Sequence, residues 1–316
     1  MKKIVLPLLL SLSLVSCAKV EEYEDLFYAF GQAPIHIKTY QGSAEDIQEL
    51  RGILNTFSKE TDNYLESDLQ GVYTINNTTN NVTVSANLYN CLKQSNELST
   101  NLDSYFSILL GSLSKTWKTA LANNTIPSSE TINSEMEKLH NTSLTFNENN
   151  QVQKTGLSEI DLGAVAKGYA LDMSKKYFES KSITQYIVNA GSSSILLGQK
   201  NTEDGLFTIK LKDLSNTFIK AKNTCISTSS ISEQSTVIDG VTYTHIVNPE
   251  TGEARVINDT VIVLTESGIL GDALSTSMML MSVPEIVSIE NEFNVKAIVI
   301  RNHQVTYCHK DIKLEH

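Results

Sequence analysis

The 316 residues predict an α+β fold of mixed, largely antiparallel sheets flanked by helices. Segments with strand character crowd the chain after residue 180 and are joined by connections too short for a parallel crossover. Helix-period segments dominate the first half instead, and nowhere do strand and helix alternate in the strict order of a doubly wound sheet. With 41% hydrophobic and 19% charged residues the composition is that of an ordinary globular chain, long enough for one or two domains.

Residues 1–16 stand apart from this fold. Lys2 and Lys3 precede an apolar run over residues 4–14, too short to span a bilayer comfortably, and LVSC follows at residues 14–17. A buried helix is the competing reading, but the run carries no polar stripe. The pattern resembles that of bacterial lipoproteins, in which cleavage falls before the cysteine and its sulfur is acylated, and so implies Cys17 as the lipidated first residue of the mature chain. Residues 17–33, with Glu21, Glu22, Glu24 and Asp25, read as a lipidated tether, order beginning near Phe30; the folded domain is expected over residues 34–316. The formal net charge of -11, or -13 without Lys2 and Lys3, opposes binding to nucleic acid and to anionic lipid, so the membrane would be held through the lipid anchor only. Cys91, Cys225 and Cys308 are an odd, widely spaced set that fits neither a disulfide framework nor a CxxC metal site. Cys225 and Cys308, in apolar strand-like surroundings, are expected in the core.

Ile35, Ile37 and Thr39 alternate with His36, Lys38 and Tyr40, a two-residue period that predicts a strand. Ile47, Leu50, Ile53, Leu54 and Phe57 recur at helical spacing over residues 46–57. Residues 61–77 are polar and read as loop, with a short strand near Val82. From Leu88 to Trp117 the apolar positions recur every three or four residues, predicting two helices broken near Ser99, and a shorter helix covers residues 131–139. LTF (144–146) and VQK (152–154) flank NENN (147–150), which predicts a hairpin. Beyond a helix that opens near residue 161, strands are expected at 186–188, 195–197, 206–211 and 217–221, the last two paired, and IDGV (238–241) marks a tight turn. Residues 260–265 read as an apolar strand, 272–281 and 285–290 as helices, and 295–300 with 305–307 as a closing hairpin.

Five stretches carry candidate chemistry. DLGAVAKGYALD (161–172) gathers a carboxylate, a cation and small residues at a helix opening: Gly163 permits a tight turn, Ala164, Ala166, Gly168 and Ala170 keep the helix thin, and Lys167 lies in its first turns. Such a backbone admits a phosphate-bearing ligand; a small-residue helix packed on a sheet, with Asp161 as N-cap and Lys167 solvated, fits the spacing too. In GDALSTS (271–277) Asp272 and Thr276 are four apart and share a helix face, two hard oxygen donors of the kind Mg2+ takes, unless Asp272 is an N-cap backed by Ser275. THIVNPETG (244–252) delivers His245 from a strand into the turn at Pro249 to Gly252, where a lone histidine is also an ordinary structural residue. NAGSSS (189–194) and CISTSS (225–230) are small and hydroxyl-rich and offer backbone N–H groups to an anion.

The order of these five stretches resembles the ApbE family of FAD:protein FMN transferases, over about residues 144–281, with fainter likeness at Phe30-Gly31-Gln32 and over 61–76. The resemblance implies an ApbE-like, T-fold-like core and a Mg2+-dependent enzyme that moves FMN from FAD to a Ser or Thr hydroxyl of an exported redox or respiratory partner, with AMP leaving. It implies that the Ala164 carbonyl, Asp272 and Thr276 hold the metal. It also implies that Phe30, Asp161, Lys167, Asn189, Ala190, Gly191, Thr228, Ser229, His245 and Ile246 surround the flavin nucleotide. Asp272 and His245 are the candidates for catalysis. Together with the lipobox the resemblance implies anchorage outside the cytoplasm, at the periplasmic face of the inner membrane. Phe30-Gly31-Gln32 stands where the family has Met-Gly-Thr, its Gly-x-Phe-Asp-x-Thr segment has no counterpart at 102–107, Ser192 and Ser230 replace glycines, and Asn248 replaces an aspartate. Two other readings use the same motifs: an FAD pyrophosphatase, in which water replaces the acceptor hydroxyl and FMN and AMP are released, and a noncatalytic flavin-binding lipoprotein.

Overall fold

One eight-stranded sheet, antiparallel at every neighbouring pair, forms the middle layer of the molecule. It is seen in a computed structural model that describes residues 21–316 apart from Ser67 and the side chain of Asp103; the expected signal segment and Cys17 lie outside the described residues. In chain order the elements are β1 (Tyr23–Ala29), β2 (Ala33–Thr39), α1 (Ala44–Glu60), α2 (Val72–Asn76), β3 (Val82–Thr83), α3 (Ala86–Leu102), α4 (Gly111–Ala122), α5 (Ser129–His140), β4 (Ser143–Asn147) and β5 (Gln151–Thr155). There follow α6 (Ala166–Ser180), β6 (Tyr186–Ala190), β7 (Ser194–Leu197), β8 (Phe207–Lys210), β9 (Phe218–Ala221), β10 (Thr224–Ser230), β11 (Ser235–Ile238) and β12 (Val241–Thr244). The chain closes with β13 (Thr260–Thr265), α7 (Gly268–Met278), α8 (Val283–Phe293), β14 (Lys296–Arg301) and β15 (Gln304–Cys308). The large sheet runs β1-β2-β6-β7-β10-β13-β14-β15, with β3-β5-β4, β8-β9 and β11-β12 as small satellites. The expected α+β architecture is present.

The central strands read as unbroken apolar runs because both faces of the sheet are covered. In β13 and β14, Val261, Val263, Ala297 and Val299 join the core under the helices, while Ile262, Ile298 and Ile300 pack with Phe207 and Ile219 of the β8–β9 hairpin on the opposite face. Alternate side chains of a strand point to opposite faces, so two cores need apolar residues at every position. A third cluster, built on Trp117, Leu113, Met136 and Val247, joins α4 and α5 to the segment after β12. Trp117 also donates from its indole nitrogen to the Gly252 carbonyl at 2.8 Å and stacks on Tyr243.

Four local expectations are corrected. Part of the acidic segment read as tether is strand β1, paired residue for residue with β2. Its charges misled because β1 is an edge strand with one wet face: Phe27 and Ala29 turn inward, while Glu24 and Glu22 face outward toward His36 and Lys38 of β2. Ser99 stays inside α3, its hydroxyl bonded back to the Ser95 carbonyl; the break falls over residues 103–110. Within the polar stretch at 61–77, Val72–Asn76 forms a helical turn whose Asn76 amide donates to the Ile160 carbonyl (3.0 Å) and accepts from the Ile160 amide (2.8 Å). Lastly, α7 starts at Gly268 with Ser267 as N-cap, which places Asp272 in the second turn and rules out a capping role for it on its own helix. The chain turns inside the expected hairpins at 147–150 and 238–241, and β8 pairs with β9. Cys225 is buried as expected, whereas Cys308 is only half-buried.

Candidate active site

Two helices that cross at a pair of glycines create the site. A side chain at Gly168 of α6 would put its first carbon 2.2 Å from the Gly268 carbonyl of α7, and one at Gly268 would meet the Gly168 carbonyl at 2.2 Å. Glycine is therefore required at the crossing, and the backbones approach closely enough for each helix to supply the other's start. Asp272 of α7 accepts from the Gly168 amide at 2.6 Å; Asp172 of α6 accepts from the amides of Gly268 (2.6 Å) and Ile269 (3.0 Å) and from the Ser267 hydroxyl. Both carboxylates lie where helix N-terminal N–H groups converge, which favours negative charge.

Asp272 is also gripped from the sheet. Its Oδ1 accepts from Ser194 of β7 (2.8 Å) and Ser227 of β10 (2.7 Å), and only 6% of the residue is exposed. Burial pushes its carboxyl above the usual 3.8, opposed by the Lys167 ammonium and the three hydrogen bonds. Three donors leave a carboxylate about one free acceptor position, and two of the three are hydroxyls that can rotate away.

This carboxylate forms part of the floor of a cleft of about 450 Å³. The opening of α6 contributes Asp161, Gly163, Ala164 and Lys167; α7 contributes Ser275 and Thr276; the end of β10 contributes Thr228 and Ser229; and His245 with Ile246 stands at the far side. Asp161 does not cap α6, whose N-cap is Val165, but accepts from the Gly163 amide at 2.7 Å and so closes the tight turn foreseen at Gly163. The hydroxyl of Ser229 lies 3.1 Å from that of Ser275 and 3.3 Å from that of Thr276. Exposed His245 has Nδ1 3.3 Å from the Gln234 carbonyl.

Four of the expected residues do not border this cleft. Phe30 packs edge-on against Phe57, its amide bonded to the Ser58 hydroxyl, and does not border the cleft. Asn189 accepts from the Ser192 amide beside a shallow cavity next to β1, and Ala190 is buried in the sheet, because β6 is flanked on both faces before its turn reaches the cleft. Gly191 is nearer, 3.8 Å from the Lys167 side chain were it to carry a Cβ. In return the cleft holds Tyr64, Lys118, Ser193 and Ser194, which the sequence reading did not single out as site residues. The two serines lie in NAGSSS, a stretch expected to offer an anion its backbone N–H groups and not these hydroxyls in particular. Lys118 lies on a helix predicted from its apolar spacing alone, and its ammonium sits 5.0 Å from the centre of the Tyr64 ring.

The ApbE family model matches residues 32–299. The chain belongs to the ApbE family. Its sequence is 26% identical over 209 residues to an FAD:protein FMN transferase of Klebsiella pneumoniae, covering 62% of each chain, and 33% identical over 132 residues to one of Vibrio cholerae, covering 39% of this chain and 38% of that one. The matched segments thus span less than two thirds of these relatives' lengths. In three dimensions the ApbE fold is shared almost end to end. An ApbE protein of Thermotoga maritima superposes with a TM-score of 0.75 at 22% identity, over 93% of this chain and 96% of that one. A flavin transferase ApbE of Vibrio cholerae does so with 0.72 at 20% identity, over 92% and 97%.

Proposed function

We propose that this ApbE-family chain is an FAD:protein FMN transferase, attaching FMN from FAD to a Ser or Thr hydroxyl of a partner protein with release of AMP. The observation that carries the proposal is the meeting, in one cleft, of the buried Asp272 carboxylate, the Thr276 side chain, the Ala164 backbone and Lys167. Family membership and the names of the relatives support it.

Mg2+ fits the donors present. Among the described residues no cluster of three or more His, Cys, Asp or Glu side chains could hold a metal, so any ion here must be shared with backbone, hydroxyl, water and substrate oxygens. That is the habit of Mg2+, which keeps much of its water and bridges phosphates. Asp272, Thr276 and the Ala164 carbonyl would hold it, and when bound it offsets charge on the pyrophosphate.

The chain's own groups supply the remainder. Lys167 holds a second positive charge in the same cleft, where negative charge accumulates on phosphate oxygens as the bond to AMP breaks. Asp272 is kept in place by donors from α6, β7 and β10. With the Nδ1 proton of His245 directed to the Gln234 carbonyl, Nε2 is the basic nitrogen, available to receive the proton of the attacking hydroxyl. Attack at the FMN phosphorus forms the new P–O bond, and the phosphoanhydride oxygen leaves with AMP.

The partner is proposed to be an exported redox or respiratory protein. The enzyme is proposed to be anchored through a lipid on Cys17 at the periplasmic face of the inner membrane. Among the described residues no helix is long and apolar enough to cross a membrane. Incubating the protein with FAD, Mg2+ and a candidate acceptor, then reading flavin fluorescence in a denaturing gel, tests the central claim. A fluorescent acceptor band dependent on Mg2+ is expected; free FMN and AMP without that band would make the enzyme a pyrophosphatase, and intact FAD would leave only a carrier.

A further inference from the structure

Resting on the reading of the cleft as a flavin-dinucleotide site, we propose that Ser193 is a phosphate-binding hydroxyl: when the nucleotide enters, one rotation about χ1 turns its Oγ toward a pyrophosphate oxygen beside Lys167. Ser193 borders the cleft, is only 5% exposed, and its Oγ is shut off from water with no hydrogen-bond partner. A buried hydroxyl without a partner is destabilising, and native proteins seldom retain one that has no use.

The backbone that carries this oxygen is held by hydrogen bonds. The Ser193 carbonyl accepts from the Thr228 amide at 2.7 Å, and the hydroxyl of the next residue, Ser194, already has a partner in Asp272. The turn that delivers it passes through Gly191 and Ser192 at φ 68 and 62, and a serine in the left-handed region is held there by its surroundings, here in part by its amide's bond to Asn189. With the backbone held, the side-chain torsion of Ser193 is free to move its unpartnered hydroxyl. The ligand chemistry follows from the neighbours: Lys167 borders the same cleft, 3.8 Å from where a Cβ at Gly191 of the same turn would stand, and Ala164, Asp272 and Thr276 present metal-type oxygens to that space. A cation and hard donors select phosphate oxygens, to which a hydroxyl adds a charge-assisted bond.

The test compares wild type with Ser193→Ala and Ser193→Cys. Three quantities are read: the melting temperature without ligand, the FAD dissociation constant from flavin fluorescence, and competition by inorganic pyrophosphate, in the presence of Mg2+. Without ligand, Ser193→Ala should melt at the wild-type temperature or above it, because it removes an unpartnered polar atom. FAD and pyrophosphate should each bind roughly tenfold or more weakly. Ser193→Cys fills the space but donates poorly and should behave like alanine. Four results would overturn the proposal: a clear fall in ligand-free melting temperature for Ser193→Ala, unchanged FAD affinity in the variants, full rescue by cysteine, or weakened FAD with unaltered pyrophosphate competition. Failure of the wild type itself to bind FAD would instead remove the reading on which the proposal stands.

Discussion

In α6 a glycine at 168 is followed four residues later by Asp172; in α7 Gly268 is followed four residues later by Asp272. The two helices cross at the glycines, each aspartate receives an N–H from the first turn of the opposite helix, and burial raises the carboxyl of both. What differs is the company each keeps. Asp172 is held mainly by two backbone N–H groups that have nowhere else to go, and it does not border the cleft. Asp272 is held mainly by two serine hydroxyls, which can find other partners, and it faces the space where Lys167 and Thr276 gather. A carboxylate becomes available to a ligand when its donors are exchangeable, and remains a brace when they are fixed.

The same substitution at both places should break the resemblance most sharply. Asp272→Asn keeps the shape but removes the charge, and FMN transfer to the acceptor, followed by in-gel fluorescence, should fall by roughly a thousandfold. Transfer within a few-fold of wild type would remove Asp272 from the proposed chemistry. Next in size, Gly168→Ala and Gly268→Ala each drive a methyl carbon into the opposite carbonyl and should lower unfolding free energy by about 3 kcal/mol, read by denaturant melts. Only the added carbon at 168 also lies 2.9 Å from the Asp272 carboxyl carbon, so transfer per folded molecule should suffer more in Gly168→Ala than in its counterpart.

Asp172→Asn should give the smallest change, a loss of about 1–2 kcal/mol with transfer per folded molecule almost intact, since one N–H would face an amide NH2. Its pH dependence sharpens the contrast. With a folded value above the unfolded 3.8, the Asp172 carboxyl contributes most to stability when protonated, below 3.8, and that contribution is lost as pH rises through the folded value. The stability deficit of Asp172→Asn against wild type should therefore shrink as pH climbs through this interval. A deficit that widens would mean that the N–H groups outweigh burial at Asp172.

Much of this was legible in the chain. Periodicity located most of the strands and helices, and Asp272 and Thr276, singled out by their spacing, both border the cleft. What stayed hidden was hidden for physical reasons. Gly268 and Gly271 look like loop residues and so masked the first turn of α7, although both are glycine because other groups press against them, the Gly168 carbonyl on one and the Ser227 hydroxyl on the other. Ser194 and Ser227 come from separate strands, and nothing in one dimension shows that both hydroxyls end on the same oxygen. Tyr64 enters the cleft from a polar stretch with no period of its own.

The early start of β1 bears on how far the proposed transferase could reach. With a lipid on Cys17, as proposed, six residues separate the acyl chains from Tyr23, at most about 20 Å of extended backbone. Four strand spacings from β1 to β10 add about another 20 Å. The flavin would then be handed over within roughly 40 Å of the bilayer surface, which favours acceptors that are themselves embedded in or docked on that membrane over those diffusing freely beyond it.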